Sequence, residues 1–220
     1  MQVFDPNQNR PLRIAVLISG TGRTLRNLLQ RVASGQLHAE IPVVIASTPS
    51  ARGLQYAEKA AIPLVMVERK DSSSLEDYSE AIFQRARAAG ADLVVLAGFF
   101  RRILVPDDFT NRVVAIHPSL VPAFCGRGFY SHRVHEAVLE YGVKVTGCTV
   151  HFIDNEYDHG PVILQMEVPV LEGDTLDSLE ARVFATECHA YPRALQLIAD
   201  GRVSVRGRRV KIAPELPRSG

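Results

Sequence analysis

The chain has 220 residues, of which 46% are hydrophobic, which is enough for one sizeable α/β core. Its 25 Lys and Arg residues balance 24 Asp and Glu residues, so no overall charge would attract a nucleic acid or a membrane surface. Cys125, Cys148 and Cys188 form neither a disulfide framework nor a zinc motif, and no apolar stretch reaches the roughly 20 residues that span a bilayer. We therefore expect a cytoplasmic protein without a metal, with a loose leader over residues 1–12.

The first half of the chain alternates short apolar runs with amphipathic stretches. Strands are predicted at 13–19, 41–47, 62–68, 92–98 and 112–117, and helices within 20–35, 51–61 and 74–90. This alternation is typical of βαβ units, which have right-handed crossovers. The sequence predicts an α/β fold, a mainly parallel sheet flanked by helices, in a single domain over residues 13–200.

After His117 the regular alternation of strands and helices ends. An ordered loop is expected at 118–131, a helix at 132–142, and two β runs at 143–153 and 161–170 that an acidic loop joins. A long helix follows at 175–201, and Pro192 should kink or divide it. Residues 201–220 are expected to form a hairpin turning near Gly207 and a tail. We interpret the basic residues there as a solvated edge hairpin rather than a nucleic-acid patch.

The stretch "SGTGRT", Ser19 to Thr24, lies between a buried strand and a helix. Glycines there allow close approach of a ligand, and the N–H groups and dipole of the helix N-terminus favour an anion. The spacing matches neither a dinucleotide fingerprint nor a P-loop. Arg23 favours a phosphate. The alternative is a tight turn without a ligand.

His117 ends the fifth predicted strand, and ligands of open parallel sheets bind beyond the carboxyl ends of the strands. The loop "DNEYDHGP" carries Asp154, Glu156 and Asp158, one of which could lie against the imidazole. A carboxylate partner keeps a histidine protonated near neutrality, as an oxyanion stabiliser requires. The alternatives are a structural histidine and a polar turn.

A histidine pair and a cysteine are two further candidate sites. His132 and His135 lie three apart on a predicted helix, but no third ligand is visible, so a partly exposed helix face is favoured over a metal pair. Cys125 is interpreted as a small loop residue rather than a nucleophile.

Four motifs in order, "VLISGTG", "LAGFFRRIL", "IHPSLVPAF" and "DNEYDHGPVILQ", resemble those of the phosphoribosylglycinamide formyltransferases. The resemblance covers about residues 13 to 200. It implies a Rossmann-like fold that transfers a formyl group from 10-formyltetrahydrofolate to the amine of glycinamide ribonucleotide in purine synthesis, acting on small molecules as a monomer or homodimer, without a metal, a nucleic acid or a membrane.

The resemblance also implies the site. His117 matches the catalytic histidine, and Asp158 matches its aspartate partner. The ribonucleotide would be bound by Gly20, Thr21, Gly22, Arg23, Thr24, Leu25, Gly98, Pro118 and Glu187. The folate would be bordered by Arg102, Ile103, Leu104, Ile153, Asp154, Asn155, Glu156, Tyr157 and Asp158.

Three positions depart from the family pattern. The family motif is Asn-x-His, whereas Ala115 occupies the asparagine position, and losing one oxyanion donor typically costs about 10²–10³ in rate. Arg23 and Thr24 replace the usual Ser-Asn or Thr-Asn. The segment "GFFRRIL" is one residue longer than the common form.

Related activities remain as alternatives. Formyltetrahydrofolate deformylase normally carries an additional N-terminal domain, and methionyl-tRNA formyltransferase an additional C-terminal one, so the length of the chain favours the nucleotide substrate. A non-catalytic folate- or ribonucleotide-binding homologue, marked by Ala115, is the hypothesis of another class. The glycine spacing disfavours a dinucleotide-dependent oxidoreductase.

Overall fold

The structure is a computed structural model that describes residues 2–5 and 10–214. The strands are β1 Leu12–Ile18, β2 Ala39–Ala46, β3 Leu64–Met66, β4 Leu93–Leu96, β5 Val113–His117, β6 Val145–Phe152, β7 Val162–Pro169, β8 Val203–Arg206 and β9 Arg209–Ile212. The α-helices are α1 Arg23–Ala33, α2 Leu54–Lys59, α3 Leu75–Ala88, α4 His132–Tyr141 and α5 Leu176–Ala199. Within the described residues, each of these helices is too short or too polar to cross a membrane.

The main sheet has seven strands in the order β3-β2-β1-β4-β5-β6-β7. The first five strands of this order pair in parallel, whereas β6 pairs antiparallel with both β5 and β7. The sheet is therefore mainly parallel and flanked by helices, as the sequence predicts. The chain leaves β1 toward β2 on one side and β4 toward β5 on the other, so the switch point where ligands bind lies between β1 and β4.

Strand β1 shows why the sheet is buried on both faces. Ile14, Val16 and Ile18 belong to the core that α1 and α5 cover, whereas Ala15 and Leu17 belong to the core under α3. Because successive side chains of a strand point to opposite faces, a continuous apolar run satisfies both layers. The two cores hold the carboxyl ends of β1, β4 and β5 in fixed relative positions.

Helix α5 runs from Leu176 to Ala199 with Pro192 inside it, so the expected division does not occur. Proline lacks the N–H that would bond the carbonyl of Cys188, four residues earlier. Asn27 Nδ2 and Arg31 Nη2 of α1 donate to that carbonyl instead, at 3.1 and 3.3 Å. Side chains of a neighbouring helix thus satisfy the acceptor, and the helix continues.

Part of the expected loose leader is packed. Val3 and Phe4 are each 6% exposed and belong to the larger core, and the Val3 N–H donates to the carbonyl of Val203 in the hairpin. Apolar side chains at these positions stabilise the packing by leaving water. The hairpin turns at Gly207, as expected, but β8 and β9 form a sheet of their own. The tail from residue 215 lies outside the described residues.

Candidate active site

The glycine loop connects β1 to α1 at the switch point of the sheet. Gly22 adopts φ +74°, and a Cβ there would lie 2.4 Å from the Cα of Gly53, so only glycine fits. The Ser19 N–H donates to the carbonyl of Gly98 at 3.0 Å, which fixes the loop against the end of β4. Helix α1 begins at Arg23 without a side-chain cap and without an acid in its first turn. Its free N–H groups can therefore receive an anion.

A small cleft of ≈ 140 Å³ opens beside this loop. Its lining includes the predicted ribonucleotide residues Gly20, Thr21, Gly22, Arg23, Thr24, Gly98, Pro118 and Glu187. Leu25 is the exception, because its side chain is fully buried in the core under α1. The cleft therefore combines a helix N-terminus with an arginine and two glutamates of α5, Glu180 and Glu187.

Glu187 faces the small cleft from α5. Burial raises the pKa of its carboxyl to about 7, the charge of Glu180 adds to the rise, and Arg23 opposes it. A carboxyl group with this pKa is partly protonated at neutral pH. It can therefore both donate and accept hydrogen bonds, as a ribose hydroxyl pair would require.

His117 lies at the end of β5 and is 6% exposed. Its Nε2 lies 2.9 Å from the carbonyl oxygen of Phe124, and since a carbonyl only accepts, Nε2 donates. Its Nδ1 lies 3.7 Å from Asp158 Oδ2. The Asp158 carboxylate therefore faces the Nδ1 edge of the His117 ring.

Asp158 is fixed by the backbone around it. It adopts φ +50°, and its Oδ2 accepts a hydrogen bond of 2.8 Å from the Gly126 N–H. Its Oδ1 lies 3.8 Å from Nε2 of His151, which is buried without a hydrogen-bond partner among the described residues. Asp158, the last aspartate of the acidic loop, therefore lies between His117 and His151. The sequence predicted an acidic neighbour for His117 only.

His151 lies on β6 directly opposite Ala115 of β5. Its Nδ1 lies 2.9 Å from the Phe152 carbonyl oxygen and so carries a proton. Burial lowers the pKa of His151, although Asp158 opposes that effect, so the ring is neutral near pH 7 and Nε2 is an acceptor. Ala115 therefore has an imidazole beside it, but one that offers no second donor while it is neutral.

A larger cleft of ≈ 610 Å³ begins on the other side of His117. Its lining includes the predicted folate residues Arg102, Ile103, Ile153, Asp154, Asn155, Glu156, Tyr157 and Asp158, together with Ala115 and His117. Leu104 is not part of the lining, and its N–H donates to Ser79 Oγ at 2.9 Å. The two clefts share Gly98, Phe100, Ile116, Pro118 and Ser131. They meet beside His117, between the shared residues Ile116 and Pro118.

The acidic loop closes one wall of the larger cleft through contacts at both ends. Asn155 Oδ1 accepts from the Val105 N–H at 2.8 Å. Asp154 accepts from Nδ1 of His159 at 2.8 Å, and Nε2 of His159 contacts Arg208 at the tip of the C-terminal hairpin. The hairpin's basic residue is thus part of the support of the loop.

Several lining residues were not predicted. His135 is 3% exposed and lines the small cleft, so the expectation of a partly exposed helix face is wrong for it. It is buried because α4 packs against α5. Phe100 and Tyr130, whose ring centroids are 6.3 Å apart, border the larger cleft. Phe100 and Tyr130 are lone aromatics in irregular segments, which give no periodic signal that marks them as cleft residues.

Comparisons with known proteins agree with this geometry. The family described as formyl transferase matches residues 12–195. Phosphoribosylglycinamide formyltransferase of Haemophilus influenzae is 34% identical over 94% of this chain and 97% of its own length. The structure of glycinamide ribonucleotide transformylase 1 from Symbiobacterium toebii is similar, with a TM-score of 0.86 and 42% identity over 93% of this chain and 95% of that one.

Some relatives are much longer. The trifunctional purine biosynthetic protein adenosine-3 of Gallus gallus is 40% identical over 90% of this chain, but the chain spans only 19% of its length. The match therefore concerns one segment of that protein. A family match across most of the sequence, on a sheet with the glycine loop at its switch point and the His117–Asp158 pair at the end of β5, places this chain in the formyl transferase family.

Proposed function

We propose that the chain transfers the formyl group of 10-formyltetrahydrofolate to the amine of glycinamide ribonucleotide. The observation that carries the proposal is the meeting of two unlike clefts at His117. One is lined by the glycine loop, Arg23 and Glu187, and the other is wide and largely apolar. A phosphorylated amine and a flat heterocyclic donor would meet at their junction.

The small cleft supports the ribonucleotide assignment residue by residue. The N–H groups at the start of α1 and the guanidinium of Arg23 suit a phosphate. Glu187 suits the ribose hydroxyls. Gly98 and Pro118, which border both clefts, would leave the amine facing His117.

The larger cleft supports the folate assignment. Ile103 and Ile153 offer apolar surface to the flat ring, and the loop at 154–158 offers backbone groups along its edge. Arg102 lies over the Tyr157 ring, 5.6 Å from the centroid, at the border of this cleft. When bound, the folate supplies the activated formyl group.

The transfer needs charge stabilisation and the movement of one proton. The amine nitrogen attacks the formyl carbon, a C–N bond forms, and the carbonyl oxygen becomes an oxyanion. Protonated His117 stabilises the oxyanion, while Asp158 supports the charged ring and assists removal of the amine proton. The carbonyl then re-forms, the bond to the folate nitrogen breaks, and that nitrogen takes up a proton, giving the formylated amine and tetrahydrofolate.

Ala115 should impair this reaction. Its methyl group cannot donate to the oxyanion, and His151 opposite it is an acceptor while neutral. We expect the chain to be slower by about 10²–10³ than the same chain with an amide donor at this position.

The test is formyl transfer to glycinamide ribonucleotide by the unaltered chain and by Ala115→Asn. We expect Ala115→Asn to raise kcat by about 10²–10³. Ala115→Leu, which matches asparagine in size without the amide, is the control and should give no gain. Equal rates for the unaltered chain and Ala115→Asn would refute the impairment. No turnover by either, with both ligands bound, would favour a non-catalytic binding homologue.

We further propose that the protein works in the cytoplasm as a monomer or homodimer. The near-neutral composition supports small-molecule substrates rather than a polyanionic partner. Sedimentation of the full chain would determine its oligomeric state.

A further inference from the structure

Arg23 is the first residue of α1 and projects over the small cleft. Its Nη2 lies 2.7 Å from Glu180 Oε1, and its guanidinium carbon lies 4.3 Å from the centroid of the Phe184 ring. The ring supports one face of the guanidinium, and the carboxylate takes one edge. Arg23 therefore already has an anion as its partner.

Glu180 of α5 contacts Arg23 at the start of α1. It lines the same cleft as the glycine loop, and α1 has no acid of its own in its first turn. A carboxylate near a helix N-terminus and beside an arginine makes the favourable interactions that a bound anion would make. Helix α5 thus supplies, beside Arg23, the negative charge that the first turn of α1 lacks.

A second group in this cleft points to a ligand. His135 is 3% exposed and lines the cleft from α4, and its buried Nδ1 has no hydrogen-bond partner among the described residues. Buried polar groups are generally hydrogen-bonded. The Arg23–Glu180 pair does not use this imidazole, so the protein's own contacts do not complete the site.

We propose that Glu180 is an internal anion that competes with the phosphate of the ligand for Arg23. When the ligand binds, its phosphate replaces the Glu180 carboxylate as the ion-pair partner of Arg23. The inference rests on the proposed function only in assigning a phosphate to this loop. The exchange is favourable because a partly exposed ion pair is weak, whereas a phosphate dianion offers Arg23 stronger, bidentate hydrogen bonds.

The exchange has a consequence for Glu187. Burial and the charge of Glu180 raise its pKa to about 7, and Arg23 opposes the rise. When Arg23 turns to a phosphate, Glu187 loses that attraction and gains a dianion nearby, so it takes up a proton on binding near pH 7.

The other titratable groups near Glu187 stay neutral and do not supply this proton. Burial raises the pKa of Cys148 to about 12 and raises those of Cys188 and Tyr191. Burial also lowers the pKa of His135, which is therefore neutral at pH 7. The guanidinium of Arg31 on α1 donates to the Cys188 carbonyl at 3.3 Å.

The test is calorimetric titration of the full chain with ribose 5-phosphate. Glu180→Gln removes the competitor, and we expect binding about two- to fivefold tighter, the range that breaking a partly exposed ion pair allows. Glu172→Gln, the same change at an exposed residue just before α5, is the matched control and should bind as the unaltered chain does.

A second pair of variants tests whether the effect acts through Arg23. Arg23→Gln should weaken binding by about tenfold or more, and Glu180→Gln should give no gain in that background. If Glu180→Gln still tightened binding in the Arg23→Gln background, Glu180 would act only by repelling the phosphate, and the proposed exchange would be wrong. Titration in two buffers of different ionisation enthalpy at pH 7 should show proton uptake that Glu187→Gln abolishes.

The outcomes separate this inference from the proposed function. If ribose 5-phosphate binds but Glu180→Gln does not tighten it, the exchange is wrong and formyl transfer stands. If Glu180→Gln tightens binding but no formyl transfer is found, the exchange stands without the reaction. If ribose 5-phosphate does not bind, the phosphate assignment and the exchange are both wrong.

Discussion

At the scale of single residues, the site depends on groups whose protonation is set by burial. His151 and His135 are buried neutral rings, while Glu187 is a partly buried acid that lines the small cleft. Charged neighbours modify these pKa values. Asp158 raises the pKa of His151, whereas Glu180 raises and Arg23 lowers the pKa of Glu187. The resemblance to known enzymes pointed to Glu187, but the elevation of its pKa depends on α5 packing and could not be read from the sequence.

The raised pKa of Glu187 predicts a pH dependence of stability. The folded protein binds this proton more tightly than the unfolded chain does, because the pKa rises from 4.5 to about 7 on folding. The stabilisation is therefore fully present below pH 4.5 and is lost as the pH rises through about 7. It amounts to about 3 kcal/mol at most, since the side chain is partly open to the cleft.

Glu187→Gln should remove this dependence. Urea unfolding between pH 5 and 8 would show stability falling for the unaltered chain and a flatter profile for Glu187→Gln, with Glu172→Gln as the control. Parallel profiles for the chain and Glu187→Gln would mean that Glu187 does not titrate as its surroundings indicate.

At the scale of elements, the C-terminal hairpin has a role that composition does not suggest. From the sequence, its basic residues are predicted to be solvated. In the structure His159 donates to Asp154 through Nδ1, which leaves Nε2 as an acceptor for Arg208. The hairpin thus supports the loop that carries Asp158, through a chain of contacts that joins residues 54 positions apart in sequence, from Asp154 to Arg208.

Loss of this support should loosen the acidic loop. We expect Arg208→Ala to raise KM for the folate donor about two- to fivefold with little change in kcat, because exposed polar contacts contribute at most about 1 kcal/mol. Hydrogen exchange of residues 154–160 should become faster. Arg208→Lys should restore part of the effect, and Arg206→Ala, exposed on β8, should have none. An unchanged KM and exchange rate in Arg208→Ala would contradict the role.

The proline of α5 gives a second prediction at this scale. Asn27→Ala should destabilise the protein by about 1 kcal/mol, because the Cys188 carbonyl loses a partner and Arg31 remains. In a Pro192→Ala background the helix N–H returns to that carbonyl, so the same change should cost less. Urea midpoints of the four proteins measure the difference, and Gln30→Ala, exposed on α1, serves as the control. Equal costs in both backgrounds would show that Asn27 does not compensate for the proline.

At the scale of the whole molecule, the order of strands and helices follows from hydrophobic pattern. Strand β1 is buried on both faces, so its residues must be apolar throughout, and this apolar run identifies the strand in the sequence. A similar run predicts β5 and places His117 at its end. Long-range contacts are different. The continuity of α5 through Pro192 depends on α1, and the packing of Val3 and Phe4 depends on a hairpin some 200 residues later. Local sequence carries no information about either partner.

The Cys188 carbonyl, which lacks its helical N–H partner because of Pro192, also connects the two helices that border the small cleft. Asn27 and Arg31 bond to Cys188, the residue next to Glu187, and both lie on the helix that begins at the phosphate loop. Because these bonds prevent α1 from sliding along α5, the spacing between the loop and Glu187 is constant. If the small cleft binds the proposed ribonucleotide, this constant spacing would select the ligand by its length as well as by its charge.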